Sequence, residues 1–321
     1  MRPQPLLKLL ESIKNQSLYP NEILIIDGST DNSAQNIFLE NNYKDLKYFK
    51  VSDENRGLTK QRNFGINKTN NTSEIICFLD DDIILEHDYF ENLLKTYHIY
   101  PNALGVGGYI IDDLKWVFVG DNYKPLIKEF YFQGWKTKEG SRFILRKILG
   151  LDSNQSPGYS TNFSHGRHVG FLPPNDKIYP VEQLMGGVSS FKKEVFDALK
   201  FSTYFEGYGL YEDADFTIRV SKIGSLYINT KAKLKHYHDA SGRPNQYQYG
   251  KMVVRNGWYV WRIKNPTPKF IDKLKWNSIT ILLIIIRFSN FFTTNKRKEA
   301  FTESLGRTLG LLSLIFTKPK L

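Results

Sequence analysis

The apolar positions of the chain fall into two rhythms. Leu6, Leu7, Leu9, Leu10 and Ile13 repeat at helical spacing and predict a first helix over 5–16, stopped by Ser17, Tyr19 and Pro20. Glu22-Ile23-Leu24-Ile25-Ile26-Asp27 is a continuous apolar run, the pattern of a strand covered on both faces, with an acid at its end. Gly28-Ser29-Thr30-Asp31-Asn32-Ser33 is a turn rich in capping residues and leads into a helix expected over 34–39. A weaker strand over 46–51 follows, then the loop Glu54-Asn55-Arg56-Gly57 and a helix holding Lys60, Arg62, Asn63 and Gly65. Ile75-Ile76-Cys77-Phe78-Leu79 is the next short β-branched and aromatic run, and Asp80-Asp81-Asp82 ends it. Asp88 and Glu91 then carry capping-box spacing for a helix over 88–94. Strand, helix, strand, helix and strand in this order predict an α/β fold with a mostly parallel sheet flanked by helices, whose ligands bind beyond the carboxyl ends of the strands. Asp27 and Asp80 to Asp82 stand at such ends.

Downstream the rhythm loosens. A strand is expected over 105–110, and 130–150 mixes aromatic residues with Lys136, Lys138, Arg142, Arg146 and Lys147. That composition suits either an insertion covering a cleft, with side chains for a phosphate or a sugar face, or a solvated basic loop. Gly186-Gly187 permits close backbone approach. Glu212-Asp213-Ala214-Asp215 opens a helical stretch with Arg219 four residues after Asp215, and two short strands over 226–228 and 232–238 follow. His236 and His238 point to one face of the second, since side chains repeat every second residue.

After Arg243 the chain becomes aromatic, aliphatic and basic. The run Ile279 to Ile286 is far shorter than the ~20 residues a bilayer span needs. Lys269, Lys273, Lys275, Lys296, Arg297 and Lys298 flank it, and a second apolar stretch covers 305–316. An in-plane membrane anchor is the expectation, against the alternative of two buried helices. The division expected is a domain over 1–243, with halves at about 1–110 and 111–243, followed by a helical, membrane-associating extension over 244–321.

Composition narrows the partners. The chain has 321 residues, a formal net charge of +11 and a pI near 9.4, values that favour anionic partners. Its single cysteine, Cys77, excludes an intramolecular disulfide. Carboxylates cannot enter a core unpaired, so the acidic triplet is expected at a cleft mouth, holding a hard divalent cation through oxygen.

Several ordered motifs resemble the family 2 glycosyltransferases of GT-A fold, in the nucleotide-diphospho-sugar transferase superfamily, over roughly residues 1 to 240. Pro20 to Asp31 looks like the strand and turn that contact the nucleotide base through an acid, here Asp27. Asn55-Arg56-Gly57 and Arg62-Asn63-Phe64-Gly65 look like the next motif, near the nucleotide. Phe78 to Asp82 matches the DXD motif, in which the first acid faces the ribose and the last the metal. Gly207 to Asp215 with Arg219 matches the region of the catalytic base. The family's first strand is missing, and this chain begins at about the Arg of that strand's turn, Arg2.

The resemblance implies an inverting, metal-dependent glycosyltransferase of hexosyltransferase type acting in cell-surface polysaccharide synthesis. Asp213 is the expected catalytic base. Asp27, Arg62, Asn63, Asp80, Asp81, Gly186, Gly187 and Glu212 are expected to bind the nucleotide sugar. Asp82, Asp80 and His236, with His238 as second choice, are expected to bind Mg2+ or Mn2+. The implied partners are a nucleotide-diphosphate sugar, a glycan or lipid-linked acceptor and a membrane surface reached through the C-terminal region, with no nucleic acid. The implied location is cytoplasmic, peripheral on the inner face of the cell membrane. A nucleotidyltransferase of related topology and a non-catalytic sugar- or nucleic-acid-binding protein are the alternatives.

Overall fold

The computed structural model describes residues 2–35, 43–111, 113–205, 207–237 and 245–321. Most of the helix expected over 34–39 lies outside them, as does His238. The chain forms two compact units, Met1–Asp113 with Pro174–Ala240, and Leu114–Pro173 with Ser241–Leu321. The middle insertion therefore groups with the C-terminal helices, a division that differs from the one expected at residue 243.

In the first unit, α1 (Pro3–Lys14) starts with proline in its first turn, where a missing N–H costs nothing, and buries Leu6, Leu9, Leu10 and Ile13. β1 (Ile23–Asp27) pairs in parallel with β2 (Leu46–Lys50). After α2 (Leu58–Ile66) come β3 (Ile75–Leu79), β4 (Ile83–Leu85), α3 (Tyr89–Ile99) and β5 (Ala103–Ile110). The chain returns to this unit as β9 (Ile178–Val181), β10 (Val188–Lys192), α5 (Val195–Ala198), α6 (Glu212–Ser221) and β11 (Ser225–His236). The two short strands expected over 226–238 are one strand with a register shift between Ile228 and Lys233.

The main sheet runs β3-β10-β5-β11-β4, with β9 also on β11. It is mixed where a mostly parallel order was expected. β5 and β11 are parallel, but β10 lies antiparallel between β3 and β5, and β4 and β9 are antiparallel to β11. The reason is that β10 enters only after the chain's excursion into the second unit, which frees it from the βαβ rule. β1 and β2 form their own two-stranded sheet. Leu9, Leu10, Ile83, Leu93, Val106 and Leu234 form the core against α1 and α3. A second packing centre is aromatic: Phe201 lies 4.1 Å from Phe216, Phe191 5.1 Å from Phe216, and Phe78 5.4 Å from Phe201.

The second unit holds a three-stranded antiparallel sheet of β6 (Val117–Phe118), β7 (Glu129–Phe132) and β8 (Trp135–Lys138), then α4 (Ser141–Ile148). Its long helices are α7 (Gln246–Lys264), α8 (Phe270–Thr293) and α9 (Arg297–Phe316). α7 and α9 meet backbone to backbone, because a Cβ on Gly306 would stand 2.0 Å from the Tyr247 carbonyl and one on Gly250 2.2 Å from that of Glu303. Buried Glu303 accepts from Arg307 on its own helix and pairs with Arg287 of α8 at 2.6 Å.

α8 is longer than its apolar run suggested, and by length and composition it passes as a membrane-crossing candidate. Only 11% of its most apolar window is buried. The buried side of α9 is small or polar (Ala300, Glu303, Ser304, Gly306, Gly310) apart from Leu314, while Phe301, Leu305, Leu309, Leu312 and Ile315 are exposed.

Charge divides along the same line. The second unit has 24 Lys and Arg against 7 Asp and Glu, net +17, and the first has 20 against 26, net −6, which together account for the chain's +11.

Candidate functional site

The first unit gathers most of the expected site residues. Arg62 on α2 is buried, with its guanidinium against the rings of Phe78 and Phe201, 5.7 and 5.2 Å from their centroids. It donates through Nη1 to Glu212 Oε1 at 2.5 Å, and its Nη2 lies 3.8 Å from Asp80 Oδ1. The acid at the end of β3 and the first turn of α6 are thereby joined across 132 residues of chain. Gly186 N–H donates to Asp213 Oδ2 at 3.1 Å, and Ala214 N–H donates to Asp213 Oδ1 at 2.8 Å. Two backbone donors thus fix the plane of the Asp213 carboxylate.

The paired glycines are required by space. A Cβ on Gly186 would stand 2.7 Å from Glu212 Oε1 and 2.8 Å from Arg62 Nη1, and one on Gly187 2.1 Å from Asp80 Oδ2. Asp80 N–H donates to the Gly187 carbonyl at 3.0 Å, which ties the acidic triplet to the glycine turn.

One cation here faces three acids. Burial pushes the Glu212 carboxyl up to about 8, with Arg62 pulling it down and Asp213 adding repulsion. Partial loss of hydration also raises the Asp80 carboxyl, opposed by Arg62 and reinforced by Asp82. Arg62 is held charged by Glu212, Asp80 and Asp213 against the cost of its burial. Such a set is relieved by a further cation.

Asp82 is buried, and each of its carboxylate oxygens meets a neighbour. Its Oδ1 lies 3.1 Å from His236 Nε2 at the end of β11, and its Oδ2 lies 3.1 Å from Arg2 Nη1. Tyr237 N–H, next along, donates to the Asp82 carbonyl at 2.9 Å. Asp81 is taken up by Arg2, whose backbone N–H and Nε donate to Oδ2 at 3.1 and 3.3 Å and whose Nη2 donates to Oδ1.

Among the described residues, no group of three or more His, Cys, Asp or Glu side chains is close enough to hold an ion unaided. The Asp82–His236 pair with Asp80 beside it still fits Mg2+ or Mn2+. Such ions take one or two protein ligands and complete their shell with water and phosphate oxygens.

Asp27, at the end of β1, is fully buried and well satisfied. Ser29 donates to Oδ1 through N–H at 2.8 Å and Oγ at 2.7 Å, and Tyr48 OH donates to Oδ2 at 2.7 Å. Burial raises this carboxyl, but the Tyr48 and Ser29 bonds outweigh it and leave it below its ordinary value. Gln61, beside Arg62, donates to the Ile26 carbonyl at 2.9 Å and so ties α2 to the end of β1.

Asn63, expected near the nucleotide, is tied to the backbone. Its amide donates to the Phe201 carbonyl at 2.9 Å and accepts from Phe201 N–H at 3.0 Å, so both functions pin α2 to the segment ahead of α6. Asp215 pairs with Arg219 at 2.6 Å, one helical turn on. Tyr48, the partner of Asp27, is not singled out in the sequence, and Arg2 stands out there only as the Arg of the first strand's turn, not as a partner of Asp81 and Asp82. Tyr48 carries no local signal in the sequence.

Comparison with known proteins gives one family and several partial relatives. The profile of glycosyl transferase family 2 matches residues 1–158. A glucosyl-dolichyl phosphate glucuronosyltransferase of Haloferax volcanii is 29% identical over 126 residues, 38% of this chain and 37% of its own. Glycosyltransferase GlyA of Streptococcus pneumoniae is 37% identical over 152 residues, 44% of this chain and 21% of its own. The chain thus spans well under half the length of these curated relatives. A crystal structure of GalNAc-T7 with UDP, GalNAc and Mn2+ aligns with 80% of this chain and 47% of its own, at 16% identity and a TM-score of 0.49.

Proposed function

We propose, from the match of residues 1–158 to glycosyl transferase family 2, that the chain is an inverting, metal-dependent glycosyltransferase of GT-A fold. It moves a sugar from a nucleotide-diphosphate sugar to a hydroxyl of a glycan or lipid-linked acceptor in cell-surface polysaccharide synthesis. The observation that carries this reading is the run of contacts from Asp213 through Gly186, and from Glu212 through Arg62, to Asp80. It sets a fixed carboxylate beside the acids that follow β3.

In this reading Asp213 takes the proton of the acceptor hydroxyl as its oxygen forms a bond to the anomeric carbon. The bond from that carbon to the diphosphate breaks on the opposite face and the nucleoside diphosphate leaves, which inverts the configuration. Asp82, His236 and Asp80 would hold Mg2+ or Mn2+, which supplies neutralising charge for the departing diphosphate. Asp27, oriented by Ser29 and Tyr48, would accept from a base N–H of the nucleotide. Gly186 and Gly187 leave space for the Glu212–Arg62 pair and for the Asp80 carboxylate, which would face the donor.

The test is a division of labour. Asp213→Asn should lower transfer by about 10²–10⁴-fold, the range for a lost general base, and leave nucleotide binding nearly intact. Asp82→Ala should weaken Mn2+-dependent nucleotide binding. Equal loss of nucleotide affinity in both variants refutes the assignment.

The same reading places the protein on the inner face of the cell membrane through its second unit. That unit's net +17 suits an anionic leaflet. α8 and α9 turn Ile281, Ile285, Phe288, Leu305 and Leu312 outward, where an ordinary surface helix carries polar residues. Full-length protein should sediment with vesicles of phosphatidylcholine and phosphatidylglycerol, and Phe288→Glu with Leu305→Glu should abolish this. Wild-type protein that stays in the supernatant refutes the anchor.

A further inference from the structure

We propose that Arg2 competes for the site of the divalent cation, so that the ion is taken up together with a nucleoside diphosphate and only weakly by the free protein. The inference rests on the metal reading of Asp82 and His236 given above.

Arg2 caps the start of α1, and proline in the first turn fixes the chain direction there. Its backbone N–H, Nε and Nη2 go to Asp81, and Nη1 reaches Asp82. Three bonds anchor the residue and the fourth extends a permanent positive charge to the carboxylate that faces His236. Arg2 therefore sits where an incoming ion must bind. The ion adds two positive charges beside the guanidinium, against two negative ones on Asp81 and Asp82 and a third on Asp80 that is already shared with Arg62. A diphosphate arriving with the ion removes that excess, and Arg2 can exchange its Nη1 contact with Asp82 for a phosphate oxygen while its other donors stay on Asp81.

A competing cation predicts a specific coupling. In nucleotide-free full-length protein, Mn2+ titrated against its free-ion paramagnetic resonance signal should bind Arg2→Gln about tenfold more tightly than wild type, the scale of removing one nearby unit charge. Arg2→Lys, which keeps the charge, should stay close to wild type. With saturating UDP, and GDP in a parallel arm, wild-type Mn2+ affinity should rise by more than that of Arg2→Gln.

Unchanged or weaker nucleotide-free Mn2+ binding by an Arg2→Gln protein with wild-type circular dichroism overturns the inference. So does an equal change in the Gln and Lys variants, which would trace the effect to shape rather than charge. Wild-type protein that binds no Mn2+ even with nucleotide overturns the metal reading itself. Normal Mn2+–nucleotide binding that is indifferent to Arg2 overturns this inference alone.

Discussion

Gly186 and Gly187 are neighbours with opposite expected costs, because the atoms an added methyl would meet differ in freedom. At Gly186 an alanine Cβ would lie 2.7 Å from Glu212 Oε1 and 2.8 and 2.9 Å from the Arg62 nitrogens. Both side chains are buried and locked to each other at 2.5 Å. Neither can move several tenths of an ångström without opening a buried ion pair, and overpacking of this kind costs about 1–3 kcal/mol, rising to about 3–5 if the pair breaks. At Gly187 the intruded group is the Asp80 carboxylate, 2.1 Å away, a closer clash on paper. The Asp80 side chain is 46% exposed and can swing outward, so the stability cost should be under about 1 kcal/mol. Asp80 displaced is Asp80 lost to the donor. Gly186→Ala should therefore lower the midpoint of thermal unfolding by about 5–10 °C, at about 2–4 °C per kcal/mol for a domain of this size. Gly187→Ala should unfold within about 2 °C of wild type yet bind nucleotide sugar far more weakly by calorimetry. The reverse ranking, with Gly187→Ala the less stable protein, refutes the account of which neighbours are free to move.

Other outcomes follow from single contacts. Glu212 has a folded-state carboxyl value of about 8, above that of an exposed glutamate, so its contribution is present at low pH and is lost as the pH rises toward 8. Urea titrations should show wild-type stability falling across about pH 5–8 relative to Glu212→Gln, and parallel curves would count against the buried acid. Tyr48→Phe removes the 2.7 Å donor to buried Asp27, a loss of about 1.5–3 kcal/mol at neutral pH. Because Asp27 sits below its ordinary value, that loss should shrink as acid protonates it, which denaturation at two pH values would test. In the second unit, Gly306→Val drives a side chain into the Tyr247 carbonyl and should part α7 from α9. Loss of the near-ultraviolet dichroism of Trp258, Trp261 and Trp276 would report it, and an unchanged spectrum would mean the helices are not in backbone contact.

What could be read from the chain was local. Asp27 and Asp80 to Asp82 stand out because apolar runs end abruptly in charge. Glu212 and Asp213 stand out at the start of a helix, where the backbone dipole favours acids. The pairing of Asp82 with His236 joins two such signals across 154 residues, and position in the family pattern was needed to suggest it. Strand direction was not legible, since nothing in Val188 to Lys192 tells whether the chain enters that sheet upward or downward. The grouping of 114–173 with the C-terminal helices rests on contacts far apart in sequence, such as Trp261 donating to the Asn162 carbonyl and its stacking on Trp276 at 5.3 Å. Asn63 makes contacts that its motif did not announce. Its spacing suggested a ligand, while its amide is spent on the Phe201 backbone.

The uneven split of charge bears on how the protein behaves at the bench. A pI near 9.4 describes neither half. Cation-exchange resin, heparin or ribosomal debris in a lysate would capture the molecule by its basic portion whatever its acidic portion does, and would release it as salt is raised. Nucleic acid that travels with the purified protein would then be a counterion borrowed from the lysate, and washing at high ionic strength before any binding measurement is the practical remedy.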